Sequence, residues 1–160
     1  MKRKIGLTSK KPSKTGARAT AKKPAKSSGR TKPSVTVLPE TDENTLCVEM
    51  KGLIRRQDYE KNFRNRILAI TSKKRRFNVL IFYAPSFKGW EPEAADLSLK
   101  SIMELGKKIN RQACINTPNM VVFRNKLSSA LFGGQTRYFD KDNYDEALAW
   151  VKGGRGKKTG

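Results

Sequence analysis

The sequence predicts a single small α/β domain: a mostly parallel sheet of four to five strands, an antiparallel hairpin at its N-terminal edge, and about four helices. Three observations carry this. Apolar, β-branched segments alternate with segments of helical period in the order ββαβαβαβα, and such alternation builds a parallel sheet with helices packed on it. The run "FNVLIFYA" at 77–84 is almost continuously apolar, as in a central strand covered on both faces. Turn and helix-end residues separate these segments.

In order, "SVTVLPETDENTLCVEMKG" reads as two strands, near 34–38 and 45–51, around a polar turn. "RRQDYEKNFRNRILAITSKK" (55–74) reads as a helix, because Tyr59, Phe63, Ile67 and Ile70 recur at helical spacing between charged faces. After the central strand, "EPEAADLSLKSIMELGKKI" (91–109) reads as the next helix. Pro92 suits its first position, and Glu91 and Glu93 suit the positive end of its dipole. "RQACINT" (111–117) is a short strand. Thr117 and Pro118 then serve as N-cap and first residue of a helix over "NMVVFRNKLSSALF", which Gly133-Gly134 ends. "QTRYF" is the last strand. "DKDNYDEALAWVKG" closes the domain as a helix with Tyr144, Leu148 and Val151 on one stripe.

Residues 1–33 differ in kind. They hold twelve of the 35 Lys and Arg and none of the 14 acids of a chain whose net charge is +21. Lys, Ala, Pro, Ser, Thr and Gly dominate, so the segment buries too little apolar area to offset its ordering entropy. It is expected to be a disordered basic tail, followed by a domain over 34–152 and a flexible basic terminus, "GGRGKKTG", at 153–160.

The composition weighs against several chemistries. The chain has no His, which removes the commonest general base, the Ser-His and Cys-His pairs, and most zinc sites. Cys47 and Cys114 lie in apolar runs and read as small buried hydrophobes. Neither a disulfide framework, nor a metal, nor any cofactor is expected. The acid pairs Asp58/Glu60, Glu91/Glu93, Asp140/Asp142 and Asp145/Glu146 fall at helix starts or turns, where they complement helix dipoles. No enzyme is therefore expected. No stretch approaches the roughly 20 apolar residues of a membrane span, and no h-region follows the basic start. A bacterial-type cytoplasm is the expected compartment, with a mitochondrial destination or attachment to a nucleoid or ribosome as alternatives.

Three segments resemble one family. "VEMKGLIRRQDYE" is similar to the strand-to-helix entry of the SpoIIAA-like group of the STAS superfamily, also described as STAS/SEC14-type domains. "FKGW" resembles its aromatic-x-Gly-Trp turn, and "TRYFDKDNYDEALAWVKG" its closing strand and helix. The resemblance covers about residues 44–152 and leaves out the tail. It implies a small βα domain with no catalytic constellation, whose members associate with membranes or bind a small apolar ligand. The chain departs from the family pattern at Tyr83, where an acid is frequent, and at Val122 and Phe123 in a plainer fourth helix. Ser86 is the hydroxyl nearest the superfamily's phosphorylated serine, but no Asp precedes it, so the phospho-switch is not carried over.

Two candidate sites follow. The turn past the central strand lies at the carboxyl edge of the sheet, where open α/β folds bind ligands. There Tyr83, Ser86, Phe87, Lys88, Gly89 and Trp90 are candidates for a ligand cleft, against the alternative that the aromatics simply pack. The cleft is expected between the helices at 93–109 and 118–132. The second candidate binds polyanions. Its residues are Lys2, Arg3, Lys4, Lys10, Lys11, Lys14, Arg18, Lys22, Lys23, Lys26, Arg30 and Lys32 in the tail, with Lys73, Lys74, Arg75 and Arg76 in the body. Arg55, Arg56, Arg64 and Arg66 could extend that body cluster. The expected function is a non-catalytic binding or regulatory domain for a small amphiphile, a membrane surface or a protein partner. The alternative is an accessory part of a nucleic-acid or ribonucleoprotein complex, with DNA, RNA or an anionic membrane held through residues 1–33.

Overall fold

Strand β4 (Phe77–Tyr83) organises the molecule. Its side chains alternate between two cores. Phe77, Val79, Ile81 and Tyr83 enter one cluster, while Leu80 enters the other, with Phe82 packed against it. A strand apolar on both sides needs cover on both sides, and the fold supplies it. The computed structural model describes residues 32–154. The expectations for residues 1–31 and 155–160 lie outside the described residues.

The five-stranded sheet has the order β1-β2-β4-β6-β7. Strand β1 (Val35–Val37) pairs antiparallel with β2 (Thr45–Met50), forming the expected edge hairpin. Strands β2, β4, β6 (Ile109–Ile115) and β7 (Gln135–Phe139) run parallel. Helix α5 (Tyr144–Val151) covers one face with Ala147, Trp150 and Val151. The other face carries α1 (Arg56–Tyr59), α2 (Asn65–Thr71), α3 (Pro92–Leu105) and α4 (Asn119–Leu127). No helix of the described residues is long and apolar enough to cross a membrane.

Several boundaries correct the sequence reading. The first helix is not uniform: a π-helical turn, Glu60–Arg64, joins α1 to α2, and the helix stops at Thr71. That turn brings Tyr59 and Phe63 into a stack, with centroids 4.9 Å apart. The third helix ends at Leu105. A 3₁₀ turn, Gly106–Lys108, follows, and Ile109 already belongs to β6. The N-cap of α4 is Pro118 rather than Thr117, whose buried hydroxyl has no hydrogen-bond partner. Helix α4 ends at Leu127, not at the glycines, and a 3₁₀ turn, Ser129–Leu131, intervenes. Gly134 then presses onto β6: a Cβ there would sit 1.9 Å from the Asn110 carbonyl oxygen.

The "FKGW" turn is more ordered than a loop. Gly89–Trp90 forms a two-residue strand, β5, parallel to β3 (Leu53–Ile54). The Lys88 N–H donates to the Gly52 carbonyl at 2.8 Å, and the Glu91 N–H to that of Ile54 at 2.9 Å. Gly89 holds φ at 123°, a torsion side chains rarely adopt.

The entry to α1 is tied by one carboxylate. Asp58 accepts from the Ser34 N–H, the Ser34 hydroxyl and Arg55 Nε, each at 2.9 Å. Burial raises its pKa, but these hydrogen bonds outweigh burial and leave it below the ordinary carboxylate value.

Candidate functional site

A slot runs along the face of β4 and β6, beneath α3 and α4. Its apolar walls include Tyr59, Phe63, Ile67, Ile81, Ile102 and Phe132, and it encloses about 60 Å³. Ser98, Ser101, Gln112, Arg124 and Asn125 add polar groups, and no carboxylate lines it. It lies where the sequence places a cleft, between the third and fourth helices.

One end of the slot is polar and positive. Trp90 packs edge-on against Phe87 (5.2 Å), and Phe87 against Tyr83 (5.0 Å). The Arg124 guanidinium lies over the Trp90 ring, 4.5 Å from its centroid, and donates to the Ser98 hydroxyl. Trp90 Nε1 is buried without a hydrogen-bond partner. A buried donor left unmade costs about 1–3 kcal/mol.

Burial raises the pKa of the Tyr59 phenol, although Ser98 and Ser101 partly offset it, and raises that of Tyr83 well above the ordinary value. Both therefore stay neutral and face the slot as uncharged groups. Arg64 seals the wall by donating to the Ser101 hydroxyl (3.0 Å) and pairing with Glu104 (2.6 Å). Cys114, on β6, is fully buried, which pushes its thiol up to about 12. It is not a thiolate nucleophile at neutral pH.

The structure divides the cleft candidates. Tyr83 and Trp90 line the slot. Phe87 props Trp90 from behind and Gly89 shapes the turn, whereas Ser86 and Lys88 are exposed on the turn. Sequence reasoning missed Arg124 and Ser98. A lone Arg among the apolar residues of "NMVVFRN", and serines spaced three apart at 98 and 101, are the only traces they leave.

The body basic cluster also changes shape. Arg55 pairs with Asp58, Arg56 with Glu60 and Arg64 with Glu104, so these three do not extend it. Lys73, Lys74, Arg75 and Arg76 lie past the end of α2, and there they line an open groove with Lys107 and Lys108. Lys32 is exposed, and the other tail cations lie outside the described residues.

On the outer faces of α3 and α4, Leu99, Met103, Met120, Phe123 and Leu127 are exposed. Leu127 is the most exposed of them, at 73 %.

The comparisons with known proteins agree with this architecture. No curated protein is significantly similar to the chain. Among solved structures, an uncharacterized protein with a SpoIIAA-like fold from Shewanella loihica PV-4 superposes with a TM-score of 0.60 at 20% identity. The match covers 78% of this chain and 99% of that one. The family model described as SpoIIAA-like matches residues 45–152, from the first residue of β2 to just past α5. The family match spans most of the described domain and the solved structure shares its fold, so the chain belongs to the SpoIIAA-like proteins.

Proposed function

We propose that the protein is a non-catalytic binding domain whose slot takes a small amphiphile with an acceptor or anionic head. The observation that carries this reading is the unpartnered Trp90 Nε1, buried beside Arg124 at the end of an apolar slot that no carboxylate lines. A carboxylate head would satisfy the indole N–H and use guanidinium donors beyond the one that Ser98 accepts. The apolar body would lie against Tyr59, Phe63 and Ile81. The 60 Å³ is space for the centres of water-sized atoms, room for about five waters, so a single short chain fits better than a two-chain lipid. The exposed Met120, Phe123 and Leu127 on α4 would meet the surface from which such a molecule is taken.

Octanoate and octanol distinguish the head from the tail of such a ligand. The expected result is octanoate binding, seen by tryptophan fluorescence and native mass spectrometry, with octanol weaker by about tenfold, the order of one charge-assisted hydrogen bond. Arg124→Gln should bring the two affinities together. A chain that binds neither would end this reading.

A second reading is favoured by the twelve cations in residues 1–33. Such a segment supports salt-sensitive attachment to a nucleic acid or another polyanion. Truncation before Ser34 should weaken filter binding and flatten its salt dependence; unchanged values would count against it.

A further inference from the structure

The groove beyond α2 combines two segments that the sequence keeps apart. Lys73, Lys74, Arg75 and Arg76 come from the link between α2 and β4, and Lys107 and Lys108 from the 3₁₀ turn before β6. Its only other lining residues are Thr71 and Ser72, and its volume is about 690 Å³.

Two helices end here, so the cations first answer to helix dipoles. Each carboxyl end carries roughly half a negative charge, and Lys74 pairs with Glu43 at 2.8 Å. Six cations against one carboxylate and two dipole ends leave a surplus of about +4. Among the described residues, the other five have no carboxylate within the 4.0 Å of an ion pair. The dipoles alone do not account for so many.

We propose that this groove binds the phosphodiester backbone of a nucleic acid without reading its sequence. Two Arg guanidiniums and four Lys ammoniums are phosphate-binding groups. Arg76 and Lys107 each spend one donor on a carbonyl, of Ile109 and Ala130, and keep others, while the Thr71 and Ser72 hydroxyls donate to carbonyls of their own helix. The lining holds no aromatic residue on which a base could stack, so the contact is to the backbone. A concave lining of cationic and hydroxyl residues suits a chain-like polyanion better than a flat membrane. Most of the exposed large apolar residues that a membrane would use lie on α3 and α4, and none lines this groove. The inference is independent of the amphiphile slot and of the tail.

The test uses the full-length chain and short labelled duplexes of two unrelated sequences, titrated by anisotropy across a range of sodium chloride. The paired changes Lys73→Gln with Arg75→Gln, and Lys107→Gln with Lys108→Gln, each remove two cations from one segment. A control pair, Lys61→Gln with Lys141→Gln, removes two exposed cations elsewhere. Each groove pair should flatten the slope of log affinity against log salt by about 1 to 2 and weaken binding roughly tenfold or more at moderate salt. Both duplexes should be affected alike. The control pair should change little.

Equal losses in the control would mean a diffuse charge effect and overturn the proposal. Unchanged slopes in both groove pairs would overturn it too, leaving any binding to the tail. So would groove variants that lose phosphatidylglycerol vesicles but keep the duplex. Circular dichroism melts identify a variant that fails to fold. In that case Lys73→Arg with Lys108→Arg, which keeps the charge, is expected to hold the native slope, and loss of slope there would count against the proposal.

Discussion

Both tryptophans of the chain sit beside arginines, on opposite faces of the sheet, and their surroundings differ. Trp150 is 5 % exposed in the middle of α5. It packs on Phe139, between Arg111 and Arg137 at 5.4 and 5.3 Å, and Arg111 donates to its carbonyl. Trp90 is half-buried on a two-residue strand, with Arg124 over its ring and a buried indole N–H that nothing accepts. One pair closes a core. The other leaves a buried donor without an acceptor. The same two residue types therefore pack with all their polar groups satisfied or with one left over, according to where the fold puts them.

The largest expected effect breaks the closed face. Trp150→Ala should cost about 3–5 kcal/mol, as for truncation of a buried aromatic. Urea unfolding would measure it. A loss below about 1 kcal/mol would mean that the two faces are less different than described.

Next is the carboxylate that ties the entry to the open face. Asp58→Asn should cost about 1.5–3 kcal/mol, since a mostly buried acceptor of charge-assisted bonds is weakened. The sign with pH follows from its lowered pKa. The stabilisation is complete above the unfolded value near 4 and disappears as pH falls through the lower folded value. The native chain should therefore lose stability in acid over a window where the variant stays flatter. Melts from neutral to low pH would show this.

Trp90→Phe sharpens the contrast in the other direction. It removes an unsatisfied donor while keeping the ring, so stability should shift by less than about 1 kcal/mol. Octanoate affinity should nevertheless fall several-fold. Parallel melts and titrations on the two tryptophan variants would place their effects on different axes.

The smallest effect compares two thiols. Burial pushes Cys47 and Cys114 each up to about 12, and they lie on the closed and the open face respectively. Both should resist alkylation at neutral pH. Cys114 should react a few times faster, because the slot face opens at lower cost. Octanoate should slow Cys114 alone. Mass spectrometry of partly alkylated chain reads both sites.

These contrasts were unevenly visible before the structure. The central strand is legible because six of the seven residues of β4 are apolar and they fall on both sides. The edge hairpin and the closing helix are legible for a similar reason: period and turn chemistry agree over several residues. The β3–β5 ladder is not, since two residues have no period. The π turn hides because its residues also fit an ordinary helix. Pro118 is the cap rather than the first helical residue, and its fixed φ suits both positions, so the pattern alone does not separate them. Arg124 reaches Trp90 across 34 positions of sequence, and Lys107 meets the 73–76 cluster only once two helices end side by side. Pairings of that kind are made by the topology rather than by local pattern.

Gly89 carries a consequence for anyone comparing or redesigning such chains. A methyl group there would meet nothing within 4 Å, yet the torsion of 123° denies it. The residue is free in space and fixed in angle. It gives no side-chain atom to the slot, yet it sets the direction in which the next residue presents its indole. A scan that scores positions by contact would pass over it, and a substitution there would redirect Trp90 without removing any atom that lines the slot.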